Sequence, residues 1–172
     1  MDKQKKHYLY VGTVLACIGI VVAASIVGVN ALTKDTIVKN EMESKNKAMN
    51  VVFQGCSFGE TTDIVGVDYL VSYTPAFKND VEQGDVYYTT GKNAYGTISM
   101  MIAIYTTGDL GQISLVENTQ SFASTVEDNY LVPYNNNKLS IDDVKCGATY
   151  GAKLIRDMAH AAQNHYKERK GI

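Results

Sequence analysis

Hydrophobic positions fall along this chain in three different patterns. From Tyr8 to Leu32 there is no charged residue, and "YLYVGTVLACIGIVVAASIVGVNAL" is apolar on every side. About 20 such residues span a hydrocarbon core, so residues 8–32 predict a single N-terminal transmembrane helix. In residues 33–53 the apolar positions Ile37, Met42, Ala48, Val51 and Val52 make only a loose stripe among dense charges. That reads as a stalk helix more than a core element. After residue 54 the pattern turns to strands and ends in one amphipathic helix.

The segments "IVGVDYLVSY" (64–73) and "DVYYTT" (85–90) have the β-branched and aromatic content of strands, with a Pro75-containing connection between them. Residues 95 to 118 carry the clearest β signal. Ile98, Met100, Ile102 and Ile104 share one face, Gly108 to Gly111 supplies turn residues, and "QISLVEN" returns. This predicts a hairpin with one strongly apolar face. Residues 119–142 hold Pro133 and an asparagine run and read as mostly irregular. From Ala148, the residues Ala152, Ile155, Ala159 and Ala162 recur at helical spacing, and Lys167, Arg169 and Lys170 collect where they complement the helix dipole. The fold class expected is α+β: one transmembrane helix, then an antiparallel sheet with flanking helices.

Charge adds an orientation. The net charge is −2, yet Lys3, Lys5 and Lys6 against Asp2 make the extreme N-terminus basic. Lysines on that side of an apolar span predict a single-pass protein of the bacterial cell membrane with its N-terminus cytoplasmic. The expected organisation is a cytoplasmic N-terminus (1–7), the transmembrane helix (8–32), the stalk (33–53) and an extracytoplasmic domain (54–172). A cleaved signal peptide has a shorter apolar core of about 7–15 residues, although Val29-Asn30-Ala31 has the small side chains of a cleavage site. Lipidation at Cys17 fits less well, because the chain stays apolar far beyond it. Nothing here has the basic footprint of a nucleic-acid binder. Cys56 and Cys146 would both face an oxidising space, either as one bridge or as two separate thiols.

Candidate chemistry is sparse. His160 and His165 are five apart, a poor spacing for joint metal binding, and the adjacent Asp142 and Asp143 do not make a catalytic dyad. No Cys-x-x-Cys occurs. These residues predict neither a catalytic set nor a metal site. Thr149 is different, because it opens the last helix. There it could be an ordinary N-terminal capping residue. Alternatively the free N–H groups and dipole of that helix start could hold a phosphate or other anion beside it.

The string Asp143-Val144-Lys145-Cys146-Gly147-Ala148-Thr149 resembles the D-x-x-(S/T)-G-A-T motif of FMN-binding domains. Together with the "NALTKDTI" membrane exit and "AYGTISMMIAIYTTGDLGQISLV", it makes nearly the whole chain resemble the G subunit of the Rnf ion-translocating oxidoreductase. The related C subunit of the sodium-translocating NADH:quinone reductase is similar. The resemblance implies covalent FMN, esterified through its phosphate to Thr149 by a separate flavin transferase that uses FAD and a divalent metal. It implies further cofactor-binding residues at Asp143, Cys146, Gly147, Ala148, Thr119, Tyr95 and Gly96. The implied role is an electron-relaying subunit of a membrane complex rather than a stand-alone enzyme, with other Rnf-like membrane subunits as partners.

This chain departs from the pattern in three places. Cys146 stands where Ser or Thr is usual, and Gly151 stands where a hydroxyl is common. Asn118-Thr119-Gln120-Ser121-Phe122-Ala123 replaces an E-T-P-G-L-G loop, keeping only Thr119. The departures motivate an alternative, a structural subunit of the same kind of complex without flavin. A small-anion binding module is the third reading.

Overall fold

The alternating stretch forms the middle of an antiparallel sheet. In the computed structural model, β5 (Gly96–Tyr105) pairs with β6 (Leu110–Asn118) on one side and β4 (Val81–Asn93) on the other. The next strand is β3 (Leu70–Lys78), and the short β1 (Ser57–Phe58) and β2 (Thr62–Asp63) both pair along its outer edge. The structure describes the backbone of residues 3–172, and the side chains of these residues apart from 3–6, 9 and 26–38.

Strands β3 and β4 are longer than the sequence pattern suggests, and they meet at Asn79-Asp80 rather than through a proline loop. Both turn residues have positive φ (51° and 61°), which suits the right-handed twist of a two-residue hairpin. Pro75 lies inside β3. It is tolerated because β1 pairs with Ala76 and Phe77 and β2 with Ser72 and Tyr73, so the gap between them falls opposite the missing N–H.

The expected hairpin is present, but both its faces are covered. Ile98, Met100, Ile102 and Ile104 point into the main core against α4 (Thr149–Lys170), whose Ala152, Ile155 and Met158 are fully buried. On the opposite face Met101 and Ala103 join Ala76 and Val86 in a second core, closed by Ala48, Val52 and Phe53. Ala48 and Val52 belong to the last turns of α1 (Lys3–Val52). Those turns are therefore a core element and not only a stalk, a role that a stripe of two small apolar residues hardly signals. Residues 119–142 also have more structure than expected. Here α2 (Ala123–Val126), a π-helical turn (Glu127–Leu131) and α3 (Val132–Asn135) run on without a break.

The membrane part of the fold expectation needs correction. Among the described residues no helix is long and apolar enough to cross a membrane. Within the expected 8–32 span, the side chains of residues 9 and 26–32 lie outside those described. The chain divides into two compact units, Met1–Glu43 and Ser44–Ile172. The second holds the sheet, α4 and both cores.

The C-terminal end of α4 is anchored on the sheet. Arg169 pairs with the buried Asp85 of β4, lies 4.1 Å from the Tyr73 ring centroid, and Lys170 reaches Glu82 at 2.6 Å. Burial raises the Asp85 carboxyl, with Arg169 pulling the other way. Nearby, the Tyr87 hydroxyl meets Nδ1 of His165 at 2.9 Å. Burial pushes the Tyr87 phenol up to about 12 and lowers His165, which Arg169 lowers further. Both groups are thus held neutral, and the His165 tautomer sets which of the two donates.

Candidate functional site

The opposite end of α4 is built differently. Ala148 occupies the cap position with φ −123° and ψ 53°, and no side chain caps the helix. Thr149 is the first helical residue, so its side chain is not the ordinary cap that the sequence also allowed. The Ala148 carbonyl takes the N–H groups of Gly151 and Ala152. The N–H groups of Thr149 and Tyr150 have no intrahelical acceptor, as at any helix start.

These groups form one wall of a cleft of about 270 Å³. Gly147, Ala148 and Thr149 line it, with Tyr95, Gln120 and Phe122 facing them. Tyr95 and Tyr150 are stacked at 5.3 Å between centroids with 30° between planes, and both rings are exposed. Phe122 is exposed as well. A half-buried hydroxyl, a helix start and exposed flat aromatic surface therefore share one opening. This combination suits a ligand with an anionic group and a planar ring.

The approach to Thr149 is held from below. The π-helical turn places Asn129 and Tyr130 in succession, so that Asn129 donates to the Cys146 carbonyl at 3.3 Å and the Tyr130 hydroxyl donates to the Ile141 carbonyl. Burial raises the Tyr130 phenol, which keeps it a donor. Gly147 has φ +89°, a region that disfavours side chains, while a Cβ there would make only ordinary contact with Thr125. Backbone conformation, more than space, calls for glycine at 147.

The expected site residues divide into two groups. Thr149, Gly147, Ala148 and Tyr95 come together on the cleft wall. Asp143 accepts the Ser140 N–H at 2.9 Å and fastens the preceding turn, while its neighbour Asp142 bonds Nε2 of His160 at 2.9 Å. Cys146 is buried in the main core, and both it and Cys56 are free thiols. Thr119 continues the β5–β6 pairing: its hydroxyl accepts the Thr97 N–H at 2.9 Å. Gly96, at φ +141°, passes so close to the Thr119 carbonyl that a Cβ would collide with it. Thr119 and Gly96 thus shape the loop beside the cleft.

Sequence reasoning did not place Gln120, Tyr150 or Gly151 on the cleft wall, where all three lie. A Cβ at Gly151 would lie 2.6 Å from Cγ2 of Val126, a stiff β-branched side chain, so the departure from the usual hydroxyl matches the local packing. The aromatic residue directly after the candidate threonine was the available signal for Tyr150.

A known family matches the N-terminal part of the chain. Residues 1–52 match the family described as the RnfG N-terminal region. The match supports an assignment to the family of Rnf complex G subunits. Rnf G subunits are generally flavoproteins. No curated protein matches the chain.

Proposed function

We propose that this Rnf G-type chain is a flavoprotein subunit that carries FMN through a phosphoester on Thr149 and relays electrons within the complex. The observation that carries the reading is the position of Thr149. It lines a cleft at an uncapped helix start, beside two stacked tyrosines. The residues present fit the group. The N–H groups of Thr149 and Tyr150 and the helix dipole favour a phosphate. Gly147 and Ala148 keep the wall low, and Tyr95, Tyr150 and Phe122 offer apolar surface for a ring. FMN, when bound, supplies one- and two-electron redox chemistry, which the protein tunes by position and surroundings. The chain's own residues have a limited role, which is to orient the phosphate and shield one face of the ring.

Attachment requires a flavin transferase as maturation partner. After co-expression with one, tryptic digestion should release Cys146–Lys153 with the mass of FMN less water added at Thr149. Finding that peptide unmodified in a preparation that carries flavin elsewhere overturns Thr149 as the acceptor. An extracytoplasmic position for the globular unit is part of the same proposal, read by its digestion when protease is added to intact cells. The alternative, a structural subunit without flavin, draws support from Thr119, whose hydroxyl is already engaged with Thr97.

A further inference from the structure

Gln120 is a polar residue with only 6% of its surface exposed, and it lies on the cleft wall. Its Nε2 donates twice, to Asn93 Oδ1 at 3.0 Å and to the Gly96 carbonyl at 2.8 Å. Asn93 is itself fixed, because Oδ1 accepts the Tyr95 N–H at 2.8 Å and Nδ2 donates to the Tyr150 carbonyl at 3.3 Å. Reversing the Gln120 amide would set its oxygen against two acceptors, so the network permits one orientation. Among the described residues no donor reaches Gln120 Oε1. That atom would sit 3.4 Å from a Cβ at Gly151, beside the first turn of α4. The cleft therefore presents N–H donors at the helix start and a fixed acceptor a short way along.

We propose that Gln120 is a specificity residue whose Oε1 accepts a hydrogen bond from a ribityl hydroxyl of the flavin, next to the phosphate at Thr149. This rests on the flavin reading above. A phosphate has no proton to offer this acceptor when ionised, and the flavin ring lies farther from the helix start than the sugar chain does. The hydroxyls that follow the phosphate are the donors at the right place. Gln120 occurs where the resembling loop has proline, so the contact is a property of this chain's altered loop.

The test compares ligands as well as variants, because Gln120 also braces the loop. The unmodified chain, made without transferase, is titrated with FMN and with its 2′-, 3′- and 4′-deoxyribityl analogues, using quenching of flavin fluorescence. The native chain should bind at least one analogue about fivefold more weakly than FMN, the size of one neutral hydrogen bond. Gln120→Met should bind FMN and that analogue alike. Gln120→Glu keeps an acceptor and should still discriminate, even where its overall affinity falls. A purely structural role would weaken all ligands equally and leave the ratio intact. The proposal is overturned by equal binding of every analogue to the native chain, by undiminished discrimination in Gln120→Met, or by no FMN binding at all. In the last case the tryptic peptide decides the wider reading: modified Thr149 preserves it, and a flavin-free chain removes it as well.

Discussion

At its C-terminal end α4 closes on Gly171 at φ +73°, whose N–H returns to the Lys167 carbonyl, while Arg169 and Lys170 reach acidic partners on β4. At its N-terminal end the same helix has no side-chain cap, and its first residue, Thr149, lines a cleft. One end has nearly every polar group engaged; the single buried side-chain atom without a partner among the described residues is Asp85 Oδ1. The other end keeps donors and an acceptor available. Interactions that fix the helix on the sheet are thus separated, by the length of the helix, from those left for a ligand. A domain of this size has only several kcal/mol of net stability. Concentrating anchors at one end lets the other remain unsatisfied.

Substitutions at the two ends should therefore differ in kind. The largest loss of stability belongs to Arg169→Met, which leaves the Asp85 carboxylate buried without its counter-charge. Urea denaturation should show a cost of about 3 kcal/mol, with flavin attachment to the folded fraction retained. Loss of attachment at full folding would instead couple the two ends.

A smaller cost is expected at the cleft end from Gly151→Ala. Its new methyl would crowd Val126, and overpacking of this kind costs roughly 1–3 kcal/mol, reduced by the better helix propensity of alanine. The variant should also take up flavin more slowly, which a time course of labelling reads.

Smaller again is a pH effect at the anchored end. Burial first, and Arg169 second, hold His165 below its ordinary value of 6.5, with Glu168 opposing them. The unfolded chain therefore binds the proton more readily. The His165 contribution is present above about pH 6.5 and lost as pH falls through the lowered folded value. Unfolding midpoints measured from pH 8 to 5 should decline more steeply for the native chain than for His165→Gln. Equal slopes would show that His165 titrates alike in both states.

How much of this was legible in the sequence depended on periodicity. The alternation of Ile98 to Ile104 and the helical spacing of Ala152 to Ala162 placed the core faces, because burial imposes those periods directly. Pro75 misled, since its tolerance depends on where β1 and β2 stop, which is a tertiary fact. The π-helical turn and its grip on the 141–146 segment carry no apolar pattern. At the candidate site, the motif pointed to Thr149 and its two small neighbours. The burial of Cys146 and the use of Thr119 and Gly96 in strand geometry were not visible, because equivalent letters can line a ligand or brace a loop. Gln120 was legible only as a departure. Its fixed amide depends on Asn93, 27 residues away in sequence.

The smallest effect on stability, paired with a total effect on function, should come from Thr149→Val. The substitution keeps the β-branched shape, and the lost hydroxyl caps nothing, so the unfolding free energy should change by no more than about 0.5 kcal/mol. Co-expressed with a flavin transferase and run on a denaturing gel, the native chain should give a fluorescent band and Thr149→Val none. A band of equal intensity in Thr149→Val, or no band from the native chain with an active transferase, contradicts the account.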